Sequence, residues 1–541
     1  MKIFSLITRK PCIIIKITFD NKPNRPTKIT NLMKSIYQFV LLLFVSFQVF
    51  GQENATDFQY SSPTKEKVDA KGILSFLDKV EASEHELHSL MILRRGKVIA
   101  EGWWEPYGPK LKHTMYSVSK TYTATAIGLA VNEGLISVED KVIKFFPHSL
   151  PEKISDNLKN LQIKHLLTMS VGHAKDYTFS IVKTEDWASS FFAVPIVNQP
   201  GEQFVYNTIA TYMLSAIVQK VSGQTLLEYL QPRLFKPLGI EEVDWEMSPQ
   251  GINTGGYGLR VKTEDMAKLG QLFLQNGNWN GQQILPESWI KEARSLKIIQ
   301  NPEASKEDKA NSDWLQGYGY QMWRSRHESY RADGAFGQYI LILPKQEAVI
   351  VITSETSNLQ ALLSEVWNHI LPAFDSEGNI SDDLALQNRL ENLSYKPTIG
   401  VKNRLMEGLL DEKTIAIEDN GRRIEYYFDF QGNNLEINSI EDQKSQNISS
   451  GKEVWVAGMT ERKQPYLVSQ AKNALNGLAP HKVFSSYHWE DFQTLVIEIK
   501  YIESPHTETI KFYFDGKKVN IETSSLANRG KSKVFQGILI E

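Results

Sequence analysis

Cysteine is almost absent from this 541-residue chain: the single one is Cys12, near the amino terminus. The rest of the chain therefore has no means of forming an internal disulfide or a thiolate metal site. Histidine is scarce too, with eleven residues, and none stands at metal-ligand spacing. His85-Glu-Leu-His88 has the wrong order for a zinc-peptidase helix. No metal and no organic cofactor is expected. Charge of one sign is also missing. Sixty Lys and Arg against 63 Asp and Glu leave a net −3, with no basic patch to meet a nucleic-acid backbone. Internal repeats and low-complexity tracts are absent. What remains, 41% hydrophobic and 23% charged residues, is the balance of an ordinary globular protein. The length exceeds what one core usually serves, so two or more domains are expected.

The one long apolar run is Ile36 to Phe50, preceded by Lys34. It has the length of a signal-peptide core and is short for a membrane span. Val49-Phe50-Gly51 offers a cleavage site before Gln52. Residues 1–51 are read as a leader with a signal peptide, Met33 being the true start, and the mature protein as secreted or periplasmic. An uncleaved anchor is the alternative. No cysteine follows the run, which excludes a bacterial lipoprotein anchor, and no stable membrane span is expected after cleavage.

Residues 52–75 are polar, with Ser61-Ser62-Pro63, and read as a linker. His88 to Trp104 reads as two strands around a turn at Arg95-Gly96. Residues 135–310 are mostly helical in pattern. A second strand pair spans Gly337–Pro344 and Ala348–Thr353, and Leu359 to Phe374 reads as a closing helix. Strands at both ends with helices between predict an α+β domain over 76–375, one sheet built from both ends plus a helical insertion, with a cleft where they meet. Residues 376–398 read as a second linker with room for a short helix. Residues 399–541 alternate with period two, as in Thr494–Tyr501 and Ile510–Phe514, and predict a separate, mainly β domain.

Ser-x-x-Lys occurs five times, at Ser62, Ser117, Ser180, Ser449 and Ser469. Only Ser117 opens a long apolar helix directly after a strand pair. On a helix, positions three apart share a face, so Lys120 reaches the Ser117 hydroxyl. A serine alcohol is a weak nucleophile until a base takes its proton. An ammonium cannot be that base, so Lys120 has to be buried and uncharged. By itself the spacing is more often structural than chemical.

Further segments follow in order: Leu161-Gln-Ile-Lys-His-Leu-Leu-Thr-Met-Ser-Val-Gly172, Pro200-Gly-Glu-Gln-Phe-Val-Tyr-Asn207, Gly255-Gly256-Tyr with Thr263-Glu-Asp-Met-Ala, and Ala332-Asp-Gly-Ala-Phe-Gly-Gln338. With Tyr116-Ser-Val-Ser-Lys120 they resemble the ordered motifs of the serine β-lactamase and penicillin-binding-protein superfamily, in its class-C-like branch of esterases, D-peptidases and 6-aminohexanoate-dimer hydrolases. The resemblance covers about residues 76–375. It implies a β-lactamase/transpeptidase-like fold with Ser117 as the acylated nucleophile and Lys120 as its base. Tyr206 would relay the proton, with its pKa lowered by the neighbouring ammonium, and the N–H groups of Ser117 and Ala335 would form the oxyanion hole. Asn207, Thr208, Trp323, Asp333 and Gly334 would line the substrate.

Two departures bear on substrate. Thr208 stands where the Tyr-x-Asn motif has its asparagine, and Asn207 comes one residue early. Lys-Thr-Gly is missing: the matching strand reads Ala332-Asp333-Gly334. An acid there repels a substrate carboxylate unless Arg331 or Arg324 pairs with it. The chain is thus read as a serine hydrolase of small esters or amides, D-amino-acid peptides included, with efficient β-lactamase action not expected. The alternative is a catalytically silent binding protein on the same scaffold.

Overall fold

The hairpin expected over His88–Trp104 forms as strands β2 (Glu86–Arg94) and β3 (Lys97–Trp103). Arg95 and Gly96 both take positive φ, 49° and 77°, the turn whose twist suits a two-residue hairpin. This computed structural model describes residues 57–541 except 420–421, 442–443, 474–477, 529 and 541. The segment read as a signal peptide lies outside the described residues.

Five further strands complete the first sheet: β1 (Gln59–Tyr60), β4 (Trp323–Arg324), β5 (Tyr330–Gly334), β6 (Gln338–Leu343) and β7 (Ala348–Glu355). Their order is β1-β3-β2-β7-β6-β5-β4. The two ends of the region meet where β2 pairs antiparallel with β7, Ile92 opposite Ile350. Side chains alternate across the sheet. Met91, Leu93, Val349 and Val351 face one core, and Leu90, Ile92, Ile350 and Ile352 face the other. Both faces are covered, so these strands read as continuous apolar runs.

Helix α1 (Ala70–Glu81) covers one face with Ile73, Phe76, Leu77 and Val80, and Asp69 caps it by accepting from the Lys71 N–H. The other face takes α2 (Ser119–Asn132), α3 (Thr208–Ser222) and α4 (Thr263–Leu274) with the helical insertion. The first expected linker carries structure, and the second holds the helix for which it left room. α1 begins inside 52–75, and β1 pairs with β3 there. Helix α5 (Ile380–Glu391) fills the middle of 376–398 and buries Leu386 and Leu390. Each segment is polar on average, yet a few apolar side chains on one face anchor it.

The carboxy-terminal region is mainly β. Ten strands from Thr414–Asp419 to Lys533–Ile540 form one sheet. It closes where the end strand Lys444–Lys452 runs parallel to the penultimate strand His481–Trp489, Gly451 opposite Ser486, giving a barrel-like wall. Phe428, Tyr487, Trp489, Ile497 and Phe512 help fill its interior. The region thus has its own sheet and its own core, and it packs against the first domain. The Thr114 N–H donates to the Glu503 carbonyl at 3.0 Å, and Lys500 Nζ lies 2.6 Å from Glu86 Oε1. Among the described residues no helix is long and apolar enough to cross a membrane.

Candidate active site

Ser117 sits in a single 3-10 turn, Tyr116–Val118, that runs into α2. Tyr116 takes φ 45°, the bend that turns the chain from the short strand His113–Thr114 into the helix. Helix α2 is buried from Ser119 to Ala130, so Lys120 is taken out of water with only 1% exposure. Its Nζ donates to Ser117 Oγ at 2.9 Å and to the Gly256 carbonyl at 2.7 Å. Gly256 has to be glycine for this contact: a Cβ there would lie 2.8 Å from the Thr208 carbonyl, pushing the loop off α3.

Burial lowers the Lys120 pKa to about 7, against the opposing pull of Asp176 and Asp333. Tyr206 is placed by the segment before it. The Val205 N–H donates to the Met169 carbonyl at 2.8 Å, and Met169 holds φ 57°. Lys120 Nζ sits 5.0 Å from the Tyr206 ring centroid, and Ser117 is among the groups that act on the Tyr206 hydroxyl. The expected lowering of the Tyr206 pKa is corrected. Burial raises it, and the hydrogen bond from Ser117 only offsets part of the rise. Desolvation is the largest cause, with the carboxylates of Asp333 and Asp176 adding to it.

The end of β5 abuts the serine turn. A Cβ on Gly334 would stand 2.4 Å from the Met115 carbonyl, so glycine lets Ala335 follow directly beside the backbone that carries Ser117. Ala335 is half-buried. Trp323 walls Tyr206, with ring centroids 5.6 Å apart and planes 23° from parallel. Thr208 is half-buried at the first turn of α3.

Two expected substrate contacts are corrected. Asn207 is fully buried and its Nδ2 lies 3.0 Å from His173 Nδ1, so it props the Tyr206 segment from behind. Asp333 does not present a free charge. Arg331 Nε donates to its Oδ2 at 2.8 Å, and the guanidinium also reaches Ser325 Oγ at 2.6 Å and the Asp313 carbonyl at 3.0 Å. Burial raises the Asp333 pKa while Arg331 opposes that rise. Sequence reasoning missed three neighbours: the Gly256 carbonyl, Asp176, and His506, whose Nε2 lies 2.6 Å from the Tyr116 hydroxyl. A backbone carbonyl has no sequence signature, and the other two stand outside every motif.

Among the described residues no cluster of three or more His, Cys, Asp or Glu side chains could hold a metal ion. The family model described as Beta-lactamase matches residues 84–370, more than half of the chain. A 6-aminohexanoate-dimer hydrolase of Paenarthrobacter ureafaciens is 24% identical over 313 residues, 53% of this chain and 79% of the relative. Protein flp of Staphylococcus aureus is 26% identical over 213 residues, 34% of this chain and 42% of the relative. Among solved structures, the octameric penicillin-binding protein homologue from Pyrococcus abyssi superposes with a TM-score of 0.46 at 15% identity. That match covers 86% of this chain and 99% of the other.

Proposed function

Because this chain belongs to the beta-lactamase family, we propose that it is a secreted serine hydrolase that cleaves small neutral or cationic esters or amides through an acyl-enzyme on Ser117. The observation that carries the reading is the 2.9 Å contact between Lys120 Nζ and Ser117 Oγ, with the amine buried and its pKa near neutrality. An amine that is half deprotonated near pH 7 is matched to general-base work.

In the uncharged state Lys120 accepts the Ser117 proton as Oγ attacks the carbonyl carbon. The carbonyl oxygen becomes an oxyanion between the N–H groups of Ser117 and Ala335, donors fixed before reaction begins. The proton passes through the Tyr206 hydroxyl to the leaving oxygen or nitrogen, and the bond to the leaving group breaks. Tyr206, with its raised pKa, works as a neutral phenol that gives one proton while taking another. Water then attacks the ester of Ser117, its proton going to Lys120, and the acid leaves as Ser117 regains its hydrogen.

Substrate charge follows from Arg331. Its Nε and Nη1 are spent on Asp333, Ser325 and the Asp313 carbonyl, and the side chain, Nη2 included, has no exposed surface to offer a substrate carboxylate. Asp176 acts on Lys120 as a further negative charge. The relative named for a 6-aminohexanoate dimer is consistent with amide cleavage, and D-amino-acid peptides fall in the same class of substrate. The test is a fluorophosphonate probe with peptide mapping, beside a panel of p-nitrophenyl esters, aminoacyl-anilides and a cephalosporin. The expected result is an adduct on Ser117 and ester turnover abolished in Ser117→Ala, with the cephalosporin scarcely touched. An unlabelled Ser117 would favour a silent binding protein on this scaffold.

A further inference from the structure

The turn Tyr501–Thr507 of the barrel enters the first domain and buries Glu503, Ser504 and His506, the last with no exposed surface. It docks on the strand three residues before the serine: the Glu503 carbonyl accepts from the Thr114 N–H at 3.0 Å and from the Thr114 hydroxyl at 3.1 Å. His506 Nε2 then lies 2.6 Å from the Tyr116 hydroxyl, and its Nδ1 lies 2.7 Å from Glu355 Oε1. The Thr507 N–H donates to the other oxygen of Glu355 at 3.1 Å. The Leu467 N–H, also from the barrel region, donates to the Tyr116 hydroxyl at 3.3 Å.

These partners form one chain. The phenol accepts from Leu467 and can donate to Nε2 while Nδ1–H donates to Glu355, so every atom of the chain has a partner. The same imidazole meets Phe336 edge-on, ring centroids 4.7 Å apart, and Phe336 follows Ala335. One side chain from the barrel thus braces the residue before Ser117 and the residue after Ala335.

We propose that His506 is a positioning residue for the acylation site, and that the barrel is a working part of the catalytic centre through the chain Glu355–His506–Tyr116. The inference rests on the hydrolase reading above for its catalytic consequence, and on geometry alone for the bracing. A buried hydrogen-bonded network loses more than one bond's worth when a member is removed, because its neighbours are left unpaired. A small displacement of a nucleophile or an oxyanion donor is costly in rate.

The test uses the full chain with His506→Ala, His506→Gln and Tyr116→Phe, the last keeping the ring and losing only the hydroxyl. On a p-nitrophenyl ester, His506→Ala and Tyr116→Phe should each lower kcat by roughly 10- to 100-fold. KM should stay within about twofold, and the double variant should be no worse than the poorer single one. His506→Gln, whose amide oxygen can accept from the phenol, should recover part of the loss. Amide exchange over 115–118 and 334–337 should quicken in His506→Ala. Folded variants with wild-type kcat, or additive losses in the double variant, would overturn the proposal. Should wild type and Ser117→Ala turn over the ester alike, the hydrolase reading fails by itself. The exchange measurement then decides the bracing: quickened exchange supports it, and unchanged exchange overturns it.

Discussion

Lys120 Nζ stands between the Ser117 hydroxyl at 2.9 Å and the Gly256 carbonyl at 2.7 Å, and it has 1% of its surface exposed. The carbonyl holds the amine in place in either protonation state, and burial keeps the charged state weak. Base strength and position are therefore supplied by different parts of the chain.

The pH dependence follows from that amine. With its pKa near 7, kcat/KM should rise with pH through about 7 and level off above it. The same group sets a stability trend. Unfolded, the amine holds its proton up to the usual 10.5, whereas the folded one releases it near 7. Between those values the unfolded state binds more protons, so stability should increase as pH rises from about 7 toward 10.5. Lys120→Met should remove both effects: it should abolish turnover and flatten this part of the stability profile. Parallel kinetic and urea-unfolding titrations check the two together.

Tyr206→Phe keeps the stack on Trp323 and removes only the hydroxyl. The expected outcome is a kcat lower by roughly 10²–10⁴-fold with little change in KM or melting temperature. A variant with unchanged kcat would take the phenol out of the proton path.

Gly334→Ala probes the approach of β5 to the serine turn. The new Cβ would lie 2.4 Å from the Met115 carbonyl, a backbone atom that cannot swing away. Destabilisation of about 1–3 kcal/mol is expected from the forced shift. Acylation should fall further than stability does, because the shift moves Ala335 away from Ser117. Urea midpoints and single-turnover ester kinetics read the two effects.

Arg331→Met would strand the buried carboxylate of Asp333. Loss of one partner from a buried pair costs about 3–5 kcal/mol. Arg331→Met combined with Asp333→Asn should recover much of it, measured as urea midpoints. Recovery would show that the pair is kept for the charge balance of this wall rather than for net stability.

Ser117, Lys120 and Tyr206 were legible as candidates because the ordered segments around them carry a family resemblance, and the structure places the three side chains together. The two hairpin strands and the barrel strands were legible from turn residues and period-two alternation. Less could be read where a few side chains decide. Leu386 and Leu390 hold α5 inside a segment that reads as linker, and Ile73 to Val80 hold α1 across another linker boundary. The pKa of Tyr206 depends on how much water the fold removes, which spacing does not encode. His506 was illegible for a different reason: it lies 390 residues from Tyr116 in the chain, and no periodicity connects them.

The docked turn of the barrel separates two kinds of boundary. The family match stops at residue 370, well before His506. A fragment cut at that border would leave the Tyr116 phenol and the Glu355 carboxylate facing a void where an imidazole had been. The reach of the family match and the mechanical integrity of the serine turn thus divide this polypeptide at different places.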